Sequence, residues 1–459
     1  MSESVEFDLD LIRRYDSSGP RYTSYPTAVE FSPEVGEAEY LRRLRASNAS
    51  GRPLSLYFHI PFCAHVCYYC ACNKIVTADR GKAEPYLDYL FREIRLRATA
   101  VEPGRPVTQL HWGGGTPTFL NENQMRELMH VTRENFTLLD DDSGEYSIEI
   151  DPREVRDFTL AVLRGIGFNR LSLGVQDFDP AVQKAVHRIQ PEDMTLQVLE
   201  DARVLGFRSI NIDLMYGLPL QTQASFENTL DKVIEARPDR LSVFNYAHLP
   251  ERFKPQRRIE AADLPAPEVK LAILQMTIEK LTAAGYQYIG MDHFALLDDE
   301  LAVAQREGTL RRNFQGYSTH ADTDLIAMGV SAISAVADSF SQNHLDLEAY
   351  YADLEQARLP IRRGYELDAD DVLRADVIQQ LVCHGRLDMK EIAETHGIDF
   401  TDYFEDELRT LRTMEGDGLL KLGERHIEVL PRGRLLIRNL CRVFDRYRQE
   451  SEKQFSKMI

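Results

Sequence analysis

The chain has 459 residues, of which 43% are hydrophobic and 28% charged, the balance of a folded globular protein and not of a disordered or membrane-embedded one. Its formal net charge of -19 argues against nucleic acid or an anionic membrane surface as the main partner, because phosphate binding needs clustered positive charge. The length exceeds one ordinary core and predicts a large catalytic domain with a smaller companion.

The segment Met1 to Asp10 is acidic and lacks the basic-then-apolar order of a secretory signal, and no apolar run approaches a membrane span. A cytoplasmic protein is expected. Gly19-Pro20-Arg21-Tyr22-Thr23-Ser24-Tyr25-Pro26-Thr27 has no periodicity and reads as an ordered arm, with packing as its simplest role.

From about residue 54 to residue 290, short apolar runs alternate with amphipathic stretches, the pattern of βα units. The predicted strands are Leu54 to Ile60, Gln109 to Trp112, Ser147 to Ile150, Arg170 to Leu173, Ser209 to Asp213, Arg240 to Phe244 and Tyr286 to Ile289. Leu87, Leu90, Phe91 and Ile94 recur at helical spacing, as do Leu271, Leu274, Ile278 and Leu281, with Gly285 where a helix stop would use glycine. A parallel sheet with outer helices follows, and periodicity alone leaves an open doubly wound sheet and a full or partial barrel equally available. In either, chemistry sits at the C-terminal ends of the strands. The cysteines, Gly113 to Gly115, Glu149 with Asp151, and Gln176 all follow successive strands there. The glycines would let backbone amides approach a ligand, although an ordinary tight turn uses them too.

After about residue 365 the pattern changes to helices, then Gly418 to Leu422, a turn at Gly423 to Arg425, Ile427 to Leu430, and a helix from about Arg432. This suggests a winged-helix-like tail, for which the acidic chain favours a structural or lid role over DNA binding. Cys383 and Cys441 fall on apolar helical stretches and read as buried core thiols.

Four of the six cysteines lie between Cys63 and Cys72, the wrong distribution for a disulfide framework. The order Cys63, Cys67, Cys70, Cys72 directly follows a predicted strand. Structural zinc usually draws on two separated pairs, and no second pair exists here. A loop with gaps of three and two residues between its first three thiols can wrap three corners of a cubane iron–sulfur cluster and leave the fourth iron open. His59, His65 and His111 have no second ligand at helical spacing and are expected to pack or to hydrogen-bond locally.

Cys63-Ala-His-Val-Cys67-Tyr-Tyr-Cys70 resembles the radical S-adenosylmethionine signature. With Cys72, the resemblance narrows to the oxygen-independent coproporphyrinogen III oxidase family and extends over essentially the whole chain. It includes the Gly19 to Thr23 arm, His111 to Thr118, Asn211 to Asp213 with Gly217 to Pro219, Phe244 to His248 and Asn313 to Tyr317. The resemblance implies an α/β fold: a partial (β/α) barrel of radical S-adenosylmethionine type at 51–300, an arm at 1–50, a segment completing the site at 301–364, and a small helical, winged-helix-like domain at 365–459.

It also implies that Cys63, Cys67 and Cys70 hold a 4Fe-4S cluster and that two S-adenosylmethionine molecules bind. Tyr57, Gly114, Glu149 and Ile333 would meet the cluster-bound molecule. Tyr69, Gly115, Thr116, Gln176, Arg188, Asp213 and Ala247 would meet the second. Cys72 would lie near the reacting centre as a neighbour, a hydrogen donor or a temporary ligand. The implied reaction turns two propionates of coproporphyrinogen III into vinyl groups, with an electron donor as partner and a monomer as the expected state. The substrate's carboxylates call for arginine, and Arg21 on the arm is the candidate. Two other readings are a heme chaperone of the same superfamily, which typically has an aromatic residue where Cys72 stands, and a radical methyltransferase or cyclopropanase with the same two-site arrangement.

Overall fold

The computed structural model describes residues 5–320 and 322–448, so the first residues of the acidic N-terminal segment and the end of the predicted C-terminal domain lie outside the described residues. The chain forms two compact units: one takes the described residues of Met1–Glu30, Ile278–Ala321 and Leu367–Ile459, the other Phe31–Thr277 and Asp322–Glu366.

The larger unit is built on strands β1 (Leu54–Ile60), β2 (Pro106–Gly114), β3 (Glu145–Ile150), β4 (Arg170–Gln176), β5 (Ser209–Tyr216), β6 (Arg240–Asn245), β7 (Asp324–Met328), β8 (Ile333–Ala335), β9 (Ser339–Asn343) and β10 (Ile361–Glu366). Their order across the sheet is β6-β5-β4-β3-β2-β1-β7-β8-β9-β10. Pairing is parallel from β6 through β7 and antiparallel from there on. Strands read from the sequence within this unit all form, each at or slightly beyond the predicted bounds. Helices α1 (Ala83–Ala98), α2 (Glu122–Asn135), α3 (Thr159–Gly165), α4 (Glu192–Val204) and α5 (Gln223–Ala236) make the returns between parallel strands. A parallel pair requires such a crossover.

Each layer follows from its residues. On α1, Tyr86, Leu87, Leu90, Phe91 and Ile94 form one buried stripe, and each large apolar side chain so buried contributes roughly 1.5–3 kcal/mol. Asn121 caps α2 by accepting from the Gln124 N–H while the Gln124 side chain accepts from the Asn121 N–H. The single tryptophan, Trp112 on β2, is fully buried and meets Phe58 and Phe168 edge to face.

The two sheet faces differ. Leu54, Leu56, Phe58, Leu110, Trp112, Ile148, Leu171, Leu173, Ile210 and Ile212 are buried, while the alternate positions Tyr57, His111, Ser147, Glu149, Ser172, Asn211 and Asp213 stay half-buried. Side chains alternate faces along a strand. Parallel strands packed on both sides usually read apolar on both, so the polar face marks the interior of the curved sheet.

The smaller unit has one core, shared by Leu11, Tyr22 and Tyr25 of the N-terminal arm, Ile289 and Leu301, and Val377, Leu381, Phe404, Leu411 and Leu440 of the C-terminal helices. Its helices Ala369–His384, Met389–His396 and Glu405–Gly416 accompany a small sheet in which His426–Val429 lies between Leu420–Leu422 and Arg386–Asp388, the last of these strands falling between the first two helices in the chain. This helix-and-hairpin arrangement is the winged-helix-like domain read from the sequence. Two boundaries differ. Gly418 adopts φ 75° and closes the preceding helix instead of opening a strand. Pro431–Gly433 forms a 3-10 turn, so the following helix is Ile437–Val443 and does not begin at Arg432. A Cβ on Gly433 would meet the Leu419 carbonyl oxygen at 2.0 Å, so only glycine fits at the end of that turn. Cys383 and Cys441 are fully buried, and burial raises the Cys383 thiol to about 12.

Candidate active site

The cysteine loop leaves β1 at Pro61 and is closed at its mouth by parallel pairing of Phe62–Cys63 with Ile75–Val76. The Ile75 N–H donates to the Pro61 carbonyl at 2.7 Å and the Thr77 N–H to the Cys63 carbonyl at 2.9 Å. Inside this closure the Cys70 N–H donates to the Cys67 carbonyl at 3.3 Å and Tyr68 N–H to Val186 at 3.0 Å. Cys67 is buried, Cys63 and Cys70 are half-buried, and Cys72 is exposed.

Each thiol has its own surroundings. The Thr116 hydroxyl donates to Cys63 Sγ at 3.6 Å. Arg153 Nη2 and Arg188 Nη1 donate to Cys67 Sγ at 3.6 and 3.5 Å. Cys72 donates to Cys70; this bond, with Lys74, holds Cys70 below the usual thiol range, and the same bond, with the Cys70 charge and burial, pushes Cys72 above it. Among the described residues no group of three or more His, Cys, Asp or Glu side chains is placed to hold a single metal ion.

Gly113 to Gly115 lie against this loop for steric reasons. A Cβ on Gly114, which has φ 115°, would fall 2.6 Å from the His59 ring, and one on Gly115 would fall 2.7 Å from the Pro61 and Phe62 backbone. The Gly115 and Thr116 N–H groups donate to the Ile60 and Phe62 carbonyls, both at 2.8 Å. Gly114 and Gly115 therefore allow the β2 exit to lie against the β1 exit, while a Cβ on Gly113 would meet the Glu149 carboxylate at 2.8 Å.

The register of the sheet assembles the polar face. Tyr57 pairs with His111, His111 with Ser147, Glu149 with Ser172, Ser172 with Asn211, and Asp213 with Ser242. Tyr57 and His111 rings stack with centroids 5.8 Å apart. His59 Nε2 contacts the Asn73 carbonyl at 2.9 Å, which makes that nitrogen the donor, so Nδ1 accepts from the Tyr57 hydroxyl at 3.1 Å. Glu149 accepts from the Gly114 N–H at 3.0 Å and contacts His111 Nε2 at 3.4 Å. Against burial, which raises it, the His111 and Gly114 hydrogen bonds hold the Glu149 carboxyl below its usual range. Burial wins at Asp213: although Ser172 Oγ and Asn211 Nδ2 donate to it at 2.9 and 2.8 Å, its carboxyl is raised to about 6.

Further along the rim, Gln176 ends β4 with φ 72°. Asp151, after β3, receives Arg153 Nε at 3.0 Å, Arg153 Nη2 at 2.7 Å and Arg188 Nη1 at 3.1 Å. Burial works against ionisation there, but Arg188 and Arg153 hold the Asp151 carboxyl down at about 2. Arg188 Nε and Asn245 Oδ1, at the end of β6, are buried without a hydrogen-bond partner. Such groups cost stability when left unmet, so both suit a polar ligand at this rim. Tyr69 is anchored through its carbonyl by Gln256 Nε2 at 2.9 Å. Ala247 follows β6 and Ile333 opens β8, both half-buried.

Every site residue named from the resemblance except Arg21 thus belongs to the larger unit, on its strands or the loops that join them. Arg21 belongs to the smaller unit, where its Nη1 meets Asp292 Oδ2 at 2.8 Å. Sequence reading did not single out Arg153 or Ser172, and it gave Asn211 and Asn245 only as members of motifs, without a role. The alternation of Ser147 and Glu149, and of Asn211 and Asp213, among apolar neighbours was the available signal for Asn211. His59, His111 and His65, which is 3.5 Å from Glu154, each hydrogen-bond or pair locally.

Fold and site define a radical S-adenosylmethionine protein. The Radical SAM superfamily model matches residues 57–233 and the HemN C-terminal domain model residues 367–436. An oxygen-independent coproporphyrinogen III oxidase from Pseudomonas aeruginosa is 56% identical over 100% of both chains. The Escherichia coli protein of that name is 53% identical over 100% of this chain and 99% of its own. The solved structure of coproporphyrinogen III oxidase (HemN) from Escherichia coli, a radical SAM enzyme, superposes with a TM-score of 0.92 over 97% of this chain and 100% of that one. The chain belongs to the oxygen-independent coproporphyrinogen III oxidase family. Radical SAM enzymes use a 4Fe-4S cluster and S-adenosylmethionine, and the three thiols and the two orphaned polar atoms fit those groups.

Proposed function

We propose that this protein converts two propionates of coproporphyrinogen III to vinyl groups, giving protoporphyrinogen IX without oxygen. The observation that carries the reading is a closed cysteine loop against a polar interior lined by Tyr57, Glu149 and Asp213, in a chain aligned end to end with oxidases of that name. When bound, the cluster and S-adenosylmethionine supply a 5′-deoxyadenosyl radical that removes a hydrogen atom from substrate. Per propionate, loss of one β-hydrogen atom, carbon dioxide and one electron leaves a vinyl group. The electron goes to an acceptor, and one S-adenosylmethionine is consumed.

In this reading Cys63, Cys67 and Cys70 hold the cluster. Tyr57, Gly114, Glu149 and Ile333 position the S-adenosylmethionine on it, with Glu149 an acceptor for its ammonium group. Tyr69, Gly115, Thr116, Gln176, Arg188, Asp213 and Ala247 hold a second molecule. Arg188 is supported by its unmet Nε and Asp213 by a carboxylate open to the interior. Cys72 is exposed beside the loop, where substrate would enter. Arg21 pairs a substrate carboxylate, and unaltered substrate affinity in Arg21→Ala would remove that assignment. The protein works as a monomer in the cytoplasm, with a separate electron donor and no nucleic-acid or membrane partner. Cys72 favours the oxidase over a heme chaperone.

The test is anaerobic incubation of the reconstituted protein with coproporphyrinogen III, S-adenosylmethionine and a reductant. Protoporphyrinogen IX should form with about two methionines per porphyrinogen, one for each propionate. Methionine without protoporphyrinogen or a tripropionate intermediate would reject the substrate. Cys67→Ser should lose cluster absorbance and cleavage together; retained cleavage would reject the ligand assignment.

A further inference from the structure

We infer that Arg153 is a positioning and redox-tuning residue: held by Asp151, it donates a hydrogen bond to the Cys67 sulfur and raises the reduction potential of the cluster that Cys67 ligates. The inference rests on the reading of Cys67 as a ligand. Arg153 lies in the short turn Pro152–Glu154 after β3, with its side chain only 12% exposed. Its guanidinium grips Asp151 through two nitrogens, Nε on Oδ1 at 3.0 Å and Nη2 on Oδ2 at 2.7 Å, and the same Nη2 reaches Cys67 Sγ at 3.6 Å. Arg188 Nη1 repeats the arrangement from the other side, at 3.1 Å from Asp151 Oδ2 and 3.5 Å from Cys67 Sγ.

Two cations therefore share one carboxylate, and the uncompensated positive charge faces a single buried sulfur. Cys63 meets a neutral donor, Thr116, and Cys70 has one cation, Lys74, which also donates to the Cys70 carbonyl at 3.1 Å, so Cys67 is the thiol met by two guanidinium groups. Reduction adds negative charge to a cluster, and donors to its sulfurs stabilise that charge, most where water is scarce. A planar fork fixed on Asp151 keeps its remaining donor aimed at sulfur without reorganisation. The ion pair also restrains Cys67, so geometry and potential are set by one side chain.

The experiment is an anaerobic redox titration of the full-length reconstituted protein, following the paramagnetic signal of the reduced cluster, with iron and sulfide measured on each sample. Native protein, Arg153→Lys and Arg153→Gln are compared. Lysine keeps the charge but not the fork, and glutamine keeps a weak donor without charge. The midpoint should fall in the order native, Lys, Gln. At the native midpoint, Arg153→Gln should show about a tenfold lower ratio of reduced to oxidised cluster, equivalent to ~59 mV for one electron. Equal midpoints at native iron content would overturn the inference. So would lower iron content with an unchanged midpoint in the clusters that do assemble, the mark of a merely structural arginine. Cys67→Ser, measured alongside, separates this failure from failure of the ligand reading: full cluster content there would reject the ligand itself.

Discussion

Asp213 carries a cost in stability that its proposed binding role would account for. Burial raises its carboxyl from the ordinary 3.8 to about 6, so the folded state holds this proton more tightly than the unfolded chain does. Stability from this group is complete below about pH 4 and is lost as pH rises through about 6. Asp213→Asn is neutral throughout. In the absence of cofactor it should unfold at higher temperature above pH 6, a gain of up to about 3 kcal/mol, and show no gain near pH 4. The same variant should bind S-adenosylmethionine more weakly in calorimetric titration. Equal melting curves at pH 7.5, or unchanged binding, would contradict this account of the residue. Gly114 makes the opposite case. Its φ of 115° and the nearby His59 ring leave no space for a Cβ, so Gly114→Ala should lower stability by roughly 1–3 kcal/mol and reduce cluster loading, measured as iron per chain. These two positions also differ in legibility. The glycine triplet stands out in a sequence, but the partner that forbids a side chain there, His59, is set by strand register and becomes visible only when β1 and β2 pair.

Helix α1 owes its place to more than its apolar stripe. Glu93 and Arg97 are fully buried one turn apart, with Arg97 Nε donating to Glu93 Oε1 at 2.8 Å. The Glu93 carboxylate also accepts from the Gly329 N–H at 2.8 Å and the Tyr350 hydroxyl at 2.6 Å, while Arg97 Nη2 donates to Asn343 at 2.9 Å. The network ties α1 to the turn between β7 and β8 that leads to Ile333. Removing one partner strands a buried charge, so Arg97→Met should cost about 3–5 kcal/mol by urea unfolding; a cost below about 1 kcal/mol would mean the pair is not buried as described. The sequence showed the helix through Leu87, Leu90, Phe91 and Ile94 and gave no warning of the ion pair, because Glu and Arg four residues apart are usually a solvated pair on an outer face. The parallel strands were legible for the converse reason: six of the seven short apolar runs bounded by turn residues form them, whereas the seventh, Tyr286–Gly290, pairs antiparallel with His293–Leu296, because a short turn can join only antiparallel neighbours. What could not be read was the sequence of half-buried polar residues along β3, β4 and β5. Alternation of face is visible within a strand, but the alignment of Glu149 with Ser172, and of Asp213 with Ser242, depends on register.

At the scale of the whole molecule, the two ends of the chain contribute to one core. Tyr22 Oη donates to Asp445 at 3.0 Å, Arg438 Nε to the Pro20 carbonyl at 2.9 Å, and the Arg446 N–H to Tyr25 Oη at 3.0 Å. The arm's prolines and tyrosines suggested ordered packing but not its partner, since contacts across more than four hundred residues leave no local pattern. Arg21 stands on this anchored arm, which is why its assignment to a substrate carboxylate belongs to the larger question of what the assembled protein does. Radical decarboxylation is the central claim, and isotope transfer tests it most directly. Coproporphyrinogen III carrying deuterium at the β-carbons of its propionates should, on anaerobic turnover with S-adenosylmethionine, give 5′-deoxyadenosine bearing one deuterium for every vinyl group formed. Unlabelled 5′-deoxyadenosine accompanying vinyl formation would contradict hydrogen-atom abstraction at that carbon.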